Sequence, residues 1–263
     1  MNIKKSNYIR DNEKYILDTS ILREDGEGLC HHLYYGWKGL GSISEKSVVN
    51  AFFYTNFVKE ILSKADVIVL PEVFEEIKQK LRILNGQTDY IKRREINKLK
   101  EEDISKLELI CQYTNEIHQV MKKCSKYKNG YQFSEIEKEQ YEKLLKAARS
   151  HSKDLDKNSM ARKENYNNPI NVGLTKETDK KIVATTYTLA YNFPIYIITQ
   201  DRGITQLIRR IRKNELNNSK SQIKRPRNRI GIIYYDSYKE DLEKEDIYIP
   251  RAGFKDPAIF LFQ

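Results

Sequence analysis

The stretch YILDTSILRED, from Tyr15 to Asp25, joins an apolar run directly to an aspartate. Its first three residues, Tyr15 to Leu17, are typical of a short strand that is buried on both faces of a parallel sheet. Asp18 should therefore lie at the carboxyl edge of the sheet, where open α/β folds bind their ligands. As a single residue, Asp18 is explained at least as well by an Asx turn or a helix cap. Its meaning depends on whether other acids occupy matching places.

Three further apolar runs predict strands, and two amphipathic segments predict helices between them. The strands are predicted at Val67–Leu70, Phe193–Thr199 and Ile230–Tyr235. The helices are predicted from Glu72 to about Leu84 and over Asp179–Tyr191. This order of elements predicts an α/β fold with a central, mainly parallel sheet and crossover helices.

The middle of the chain differs from both ends because Lys and Glu dominate it. We interpret residues 89–170 as a charged helical insertion or subdomain without a second independent core. It would separate an N-terminal part of the sheet domain, residues 1–88, from a C-terminal part, residues 171–263. Within the insertion, Ser134 and Glu137 form a capping-box pattern that predicts a helix start. The polar stretch Lys153–Pro169 predicts a loop.

The amino-acid composition says more about the cellular compartment that we expect for the protein than about its function. The 263 residues carry a formal net charge of +10, which favours a polyanionic partner such as nucleic acid. A Lys-, Asn-, Ile- and Tyr-rich composition of the kind that low-GC coding produces explains the same charge equally well. No apolar run approaches the roughly 18 residues of a membrane span, and the N-terminus does not resemble a secretory signal. Three cysteines without pairing or metal-ligand spacing suit a reducing cytoplasm. We therefore expect a cytoplasmic protein with no membrane contact.

The helix that follows the second strand carries three glutamates, of which one stands apart. On a helical wheel of about 100° per residue, Glu76 lies on the flank of the buried apolar stripe. Glu72 and Glu75 turn towards solvent on the same wheel. Acids in a first helical turn are ordinarily explained by the helix dipole. The wheel nevertheless selects Glu76 as the side chain that can reach a cleft beside the sheet.

Two aspartates complete the pattern near the C-terminal end of the chain. Asp179 lies one turn before Val183 on the inward face of its helix, whereas Glu177 points away. Helix capping is the ordinary explanation for such an acid, but an inward carboxylate requires a partner because an unpaired buried charge costs several kcal/mol. Asp201 follows a buried strand and Thr199, as Asp18 follows its own strand.

Four acids at strand ends and helix starts indicate one chemistry. Carboxylate oxygens select hard divalent cations such as Mg²⁺ or Mn²⁺. Without a metal, a cluster of this kind would repel itself and raise some of its own pKa values. The sequence therefore predicts a metal site of Asp18, Glu76, Asp179 and Asp201.

Three pieces, YILDTSIL, VIVLPEVFEEI and TDKKIVATTYTLAYNFPIYIITQD, together resemble the PIN domain family of metal-dependent nucleases. The resemblance implies a three-layer α/β/α fold and an endoribonuclease that produces 5′-phosphate and 3′-hydroxyl ends. It also implies that the four acids are both catalytic residues and ligands of one or two Mg²⁺ or Mn²⁺ ions, supported by the hydroxyls of Thr19 and Thr199. The match covers about half of the chain, and the insertion has no counterpart. Glu72, Glu75 or Glu177 remain alternatives to the acids chosen.

A basic segment, residues 209–229, follows the last acid by a few residues. We predict that it binds nucleic acid, as an arm beside the metal site, although such charge runs are usually solvated loops. Its predicted phosphate-binding residues are Arg209, Arg210, Arg212, Lys213, Lys224, Arg225, Arg227 and Arg229.

The sequence favours RNA over DNA as the substrate but leaves other functions open. A structure-specific DNA nuclease and a non-catalytic RNA-binding scaffold both fit the same residues. A toxin ribonuclease with an antitoxin partner is a further alternative, against which the long insertion argues. Homo-oligomers and protein partners are also left open.

Overall fold

The computed structural model describes residues 10, 12–22, 29–127, 130–165, 176–218, 221–236 and 241–250. Its single described sheet has five strands in the order β2-β1-β3-β4-β5. The strands are β1 Lys14–Leu17, β2 Asp66–Val69, β3 Ile195–Ile198, β4 Ile230–Asp236 and β5 Asp241–Tyr248. Neighbouring strands are parallel except for the antiparallel pair β4 and β5.

Eight α-helices lie in the described ranges, and they form the outer layers of a three-layer α/β/α fold. Helices α1 to α5 contact one another, and α6 to α8 form a second group. The helices are α1 Leu29–Tyr34, α2 Gly36–Ser42, α3 Glu45–Lys64, α4 Pro71–Tyr90, α5 Glu101–Cys124, α6 Glu135–Asn165, α7 Glu177–Leu189 and α8 Arg202–Ile211. The predicted α/β fold with a mainly parallel sheet is confirmed.

The register of the central strands brings their carboxyl ends to one level. Leu17 at the end of β1 pairs with Val69 of β2 on one side and with Ile198 of β3 on the other. The residues that follow these three strands therefore emerge at the same edge of the sheet. All of β3 and the last three residues of β1 are buried, as their continuous apolar sequences predict.

The predicted loop at Lys153–Pro169 is wrong over most of its length, because α6 continues to Asn165. Residues 166–169 lie outside the described part. Leu144, Leu145 and Ala148 are buried and Leu155 packs against the core, so α6 keeps one apolar face while its outer face is charged. The many charged residues of this stretch made the helical spacing of its few apolar residues hard to recognise in the sequence. The helix start at Ser134 is as predicted, since its backbone N–H donates to Glu137 Oε2 at 2.9 Å.

The charged middle of the chain contributes to the same core as the sheet. Leu107, Ile110 and Ile117 of α5 join the hydrophobic cluster that also contains the strands. Helix α5 packs on α3 and α4, and α6 packs on α7 and α8. The middle therefore supplies outer helices of the two layers. Among the described helices, none is long and apolar enough to cross a membrane.

Gly231 in β4 sits where a larger residue does not fit. A Cβ atom at this position would lie 2.6 Å from the backbone oxygen of Glu245 and even closer to the Tyr196 ring. We expect Gly231→Ala to lower the free energy of unfolding by about 1–3 kcal/mol through overpacking. A Cβ atom at Gly86 in α4 would have nothing within 4 Å, so Gly86→Ala is the matched control.

The control should raise the free energy of unfolding by about 0.5–1 kcal/mol, because alanine favours a helix interior. Urea denaturation of both variants measures these changes. Equal stability of the two variants would contradict the described packing of β4 between β3 and β5.

Candidate metal centre

Asp18 is a buried carboxylate at the carboxyl edge of the sheet, with only 3% of its surface exposed. Its backbone N–H donates to the Ile198 carbonyl at 3.0 Å, which extends the β1–β3 pairing by one residue. Its carboxylate Oδ2 accepts hydrogen bonds from the hydroxyls of Ser20 and Thr199, the latter at 2.7 Å. The same oxygen thus joins the segments that follow β1 and β3.

The two hydroxyls that bind Asp18 also organise the chain around them. Their oxygens lie 2.9 Å from each other, and Asp18 Oδ2, which accepts from both hydroxyls, joins Ser20 and Thr199 into one unit. The backbone N–H of Gln200 donates to Ser20 Oγ at 2.8 Å, and that of Asp201 donates to Thr199 Oγ1 at 2.9 Å. These bonds fix the two residues after Thr199 and hence the position of Asp201.

Asp201 is the N-cap of α8. Its Oδ1 accepts a hydrogen bond from the Gly203 N–H at 2.6 Å, which satisfies one of the free donors of the first helical turn. The ordinary capping explanation for Asp201 is therefore correct. Only one carboxylate oxygen is used in this way.

Glu76 reaches the same edge from α4, as the helical wheel predicts. Its two carboxylate oxygens accept from different hydroxyls, Oε2 from Thr19 at 2.5 Å and Oε1 from Thr178 at 2.8 Å. These contacts tie the turn after β1, helix α4 and the start of α7 together. The bond from Thr178 was not anticipated, because 102 residues separate it from Glu76.

Asp179 is buried in the first turn of α7, with 5% of its surface exposed. Its Oδ2 accepts from the Lys176 backbone N–H at 2.6 Å, so it satisfies a free backbone donor at the start of that helix. The predicted inward orientation and the predicted capping role therefore both hold for this residue.

The four acids affect one another electrostatically. Burial raises the pKa of Asp18, and the negative charges of Asp201 and Glu76 raise it further. Burial also raises the pKa of Asp179 to about 7, to which the charges of Asp201 and Asp18 contribute. Desolvation and like charges both disfavour a carboxylate anion, so ionisation of Asp18 and Asp179 is energetically unfavourable in the folded protein.

The alternative acids differ from the predicted ones in having basic partners. Glu72 forms an ion pair with Lys181, and Glu75 forms one with Lys78. Glu177 lies against Arg149. Within the described ranges, by contrast, no Lys or Arg pairs with Asp18, Glu76, Asp179 or Asp201. The structure thus separates the acids already neutralised by the protein from those that are not.

The donor set suits a hydrated hard cation better than a closed cage. Among the described residues, no three acidic, histidine or cysteine side chains are close enough together to form a preassembled metal-binding group. Mg²⁺ is commonly bound through one or two carboxylates and retains several waters, so this arrangement fits it. The Gln200 side-chain nitrogen is buried, and it has no hydrogen-bond partner among the residues that the structure describes.

A cleft of about 470 Å³ opens beside Glu76 and Thr178. The remaining described lining residues all belong to α4 and mix both charges. They are Glu72, Glu75, Lys78, Gln79 and Arg82. Glu76 is therefore the predicted acid most directly accessible from a cleft.

The basic segment does not lie beside the acids as predicted. Arg229 precedes β4, and its carbonyl accepts from the N–H of Ile195, the first residue of β3. It is therefore at the opposite edge of the sheet from Thr199. Arg209 and Arg210 lie in the last turn of α8, and Arg212 and Lys213 directly follow it, about 12 Å or more along the helix axis from the capping Asp201. The prediction was wrong because closeness to Asp201 in sequence is not closeness in space: the length of α8 separates Asp201 from Arg209, and the length of β3 separates Thr199 from the edge at which Arg229 lies.

Much of this segment is engaged in contacts within the protein. Arg209 and Arg229 pair with Glu245 and Asp246 of β5. Arg212 donates to the Ile247 carbonyl, and Arg225 donates to the Leu216 carbonyl. Lys224 and Arg227 lie over the ring of Tyr191. Arg210 pairs with Asp154, and Lys213 is exposed. Nucleic-acid binding by these residues stays a prediction.

No known protein family model, no curated protein and no solved structure matches this chain.

The raised pKa of Asp179 gives a test that needs no substrate. The folded protein favours the protonated acid, so its contribution to stability is largest below the usual value of 3.8 and is lost as pH rises through about 7. In EDTA, wild-type protein should lose on the order of 2–4 kcal/mol relative to Asp179→Asn between pH 4 and pH 8. Asparagine keeps the capping oxygen but does not ionise.

Urea denaturation across that pH range measures the difference between the two proteins. Glu177→Gln is the matched control, because it removes an acid from the same helical turn that is exposed and paired with Arg149. Parallel stability curves for wild type and Asp179→Asn would show that Asp179 is not held in a charge-disfavouring site.

Proposed function

We propose that this chain is a metal-dependent nuclease of PIN-like type, acting as a cytoplasmic endoribonuclease. The observation that carries the proposal is the set of four acids at one sheet edge: burial and neighbouring acids raise the pKa values of Asp18 and Asp179, and none of the four acids forms an ion pair with a described Lys or Arg. A divalent cation is the partner that such a set accommodates. The formal net charge of +10 on the whole chain is compatible with a polyanionic substrate.

Asp18, Glu76, Asp179 and Asp201 would hold one or two Mg²⁺ or Mn²⁺ ions, directly or through water. A bound ion of this kind lowers the pKa of a water molecule and stabilises the charge that develops on a phosphodiester in the transition state. The resulting ends would be a 5′-phosphate and a 3′-hydroxyl, as the resemblance to the PIN family implies.

The protein's own contribution is orientation. Ser20 and Thr199 leave Asp18 Oδ1 free of their hydroxyl donors by directing both hydrogen bonds to Oδ2. Thr19 and Thr178 clamp both oxygens of Glu76, so this carboxylate keeps one rotamer. Oriented ligands reduce the reorganisation required during reaction.

End-labelled RNA and DNA, incubated with Mn²⁺, Mg²⁺ or EDTA, test the activity. We expect wild type to cut RNA only with a divalent metal, and Asp18→Asn and Asp201→Asn to lose more than about 100-fold in rate. Asparagine at 201 retains an oxygen for the Gly203 N–H, so α8 should stay capped. Glu75→Gln, one residue from Glu76 and exposed, should cut like wild type.

Each alternative has its own outcome in this assay. Metal-dependent cutting of branched or flapped DNA without cutting of RNA would identify a structure-specific DNA nuclease. RNA binding by every variant without cutting under any metal would identify a non-catalytic scaffold and overturn the proposal. Equal cutting by Asp201→Asn and wild type would remove Asp201 from the mechanism.

A further inference from the structure

The outer face of α6 carries a continuous basic stripe. Lys143, Lys146, Arg149 and Lys153 follow one another at intervals of three or four residues, so they share one side of the helix. They line a groove of about 600 Å³, whose other described lining residues are Glu142 and Ser150. The stripe extends for about 15 Å along the helix axis. This basic groove was concealed within a region that the sequence marks only as charged.

Two of the four basic side chains are not neutralised by the protein. Lys146 and Lys153 are exposed, and neither pairs with an acid in the ranges that the structure describes. Lys143 lies 2.7 Å from Glu139, and Arg149 lies against Glu177, but both pairs are on the surface. Surface pairs of this kind contribute little stability and exchange readily for other anions. The groove therefore presents an excess of accessible positive charge.

The groove adjoins the candidate metal centre through the start of α7. Arg149 Nε donates to Glu177 Oε1 at 2.8 Å, and Glu177 is the first residue of that helix. The next residue, Thr178, donates to Glu76, and the one after it is Asp179. Arg149 of the basic stripe thus contacts a residue that lies one position before Thr178 and two positions before Asp179 in α7.

We propose that the α6 groove binds the sugar-phosphate backbone of the RNA strand that the acids cut. The proposal rests on the proposed function, and it supplies the phosphate-binding surface that the basic segment 209–229 does not supply at this edge of the sheet. Lysine contacts to phosphates provide affinity without reading bases. The groove thus holds one part of a strand while a neighbouring phosphodiester lies at the acids.

The test is RNA binding by the full-length protein in EDTA, where no cutting occurs. A labelled single-stranded RNA is titrated with wild type and with the double variant Lys146→Gln/Lys153→Gln at several salt concentrations. We expect about tenfold weaker binding and a slope of log K against log salt that is shallower by about 1.4, or 0.7 for each lost phosphate contact. Both lysines are exposed, so the variant should fold normally.

A control variant removes the same charge elsewhere. Lys100→Gln/Lys122→Gln changes two exposed lysines near the ends of α5, which packs in the other helical layer. It should bind RNA within about twofold of wild type, because the described lining of the groove belongs to α6. Binding by the α6 variant that equals binding by this control would overturn the proposal.

The outcomes distinguish the groove from the nuclease. Unchanged binding by the α6 variant together with metal-dependent cutting by wild type would refute the groove and leave the nuclease intact. Weaker binding by the α6 variant with no cutting by wild type would support the groove and refute the nuclease. An equal loss of affinity for a poly-glutamate peptide would make the stripe a general polyanion surface and would overturn its assignment to RNA.

Discussion

The buried carboxylate of Asp18 is the constraint around which this edge of the protein is organised. A charged group with 3% exposure is costly unless hydrogen bonds or a cation compensate for lost water. Here two hydroxyls donate to one of its oxygens, and the same hydroxyls accept from the backbone after β3. The position of Asp201 and the direction of α8 therefore follow from the way in which Asp18 is solvated by the protein.

Helix starts help to explain how two of the four acids, Asp179 and Asp201, remain at this edge without an ion pair to a Lys or Arg in the described structure. Asp179 is the third residue of α7, and Asp201 is the N-cap of α8. The N-terminal ends of helices carry partial positive charge and free N–H donors, which favour nearby carboxylates. This compensation is partial, since the pKa values of Asp18 and Asp179 are still raised. A divalent cation would compensate for the negative charge that remains. The α6 stripe adds positive charge at the start of α7, where Arg149 contacts Glu177.

The sequence predicts the buried strands well because each is a continuous apolar run, and strand ends locate Asp18 and Asp201. The sequence also predicts that Glu76 lies beside the sheet, because the helical wheel on which this prediction rests depends only on nearby residues of the same helix. It missed β5, in which charged residues alternate with only a few buried ones such as Ile247, and it misread the end of α6 for a similar reason. The Thr178–Glu76 bond and the distance of Arg229 from the acids depend on which strands become neighbours. Such tertiary relations cannot be read from spacing along one chain.

The most direct test of the central claim is Mn²⁺ binding, measured by electron paramagnetic resonance of the free ion at pH 8 without substrate. At this pH Asp179, with a pKa of about 7, is mostly ionised. The account predicts that wild type and Glu75→Gln bind Mn²⁺ alike, whereas Glu76→Gln binds at least ~10-fold more weakly. The two glutamates are neighbours on one helix and differ in whether a lysine already neutralises them. Equal Mn²⁺ affinity of all three proteins, or no binding by any, would contradict the assignment of this acidic edge as a metal site.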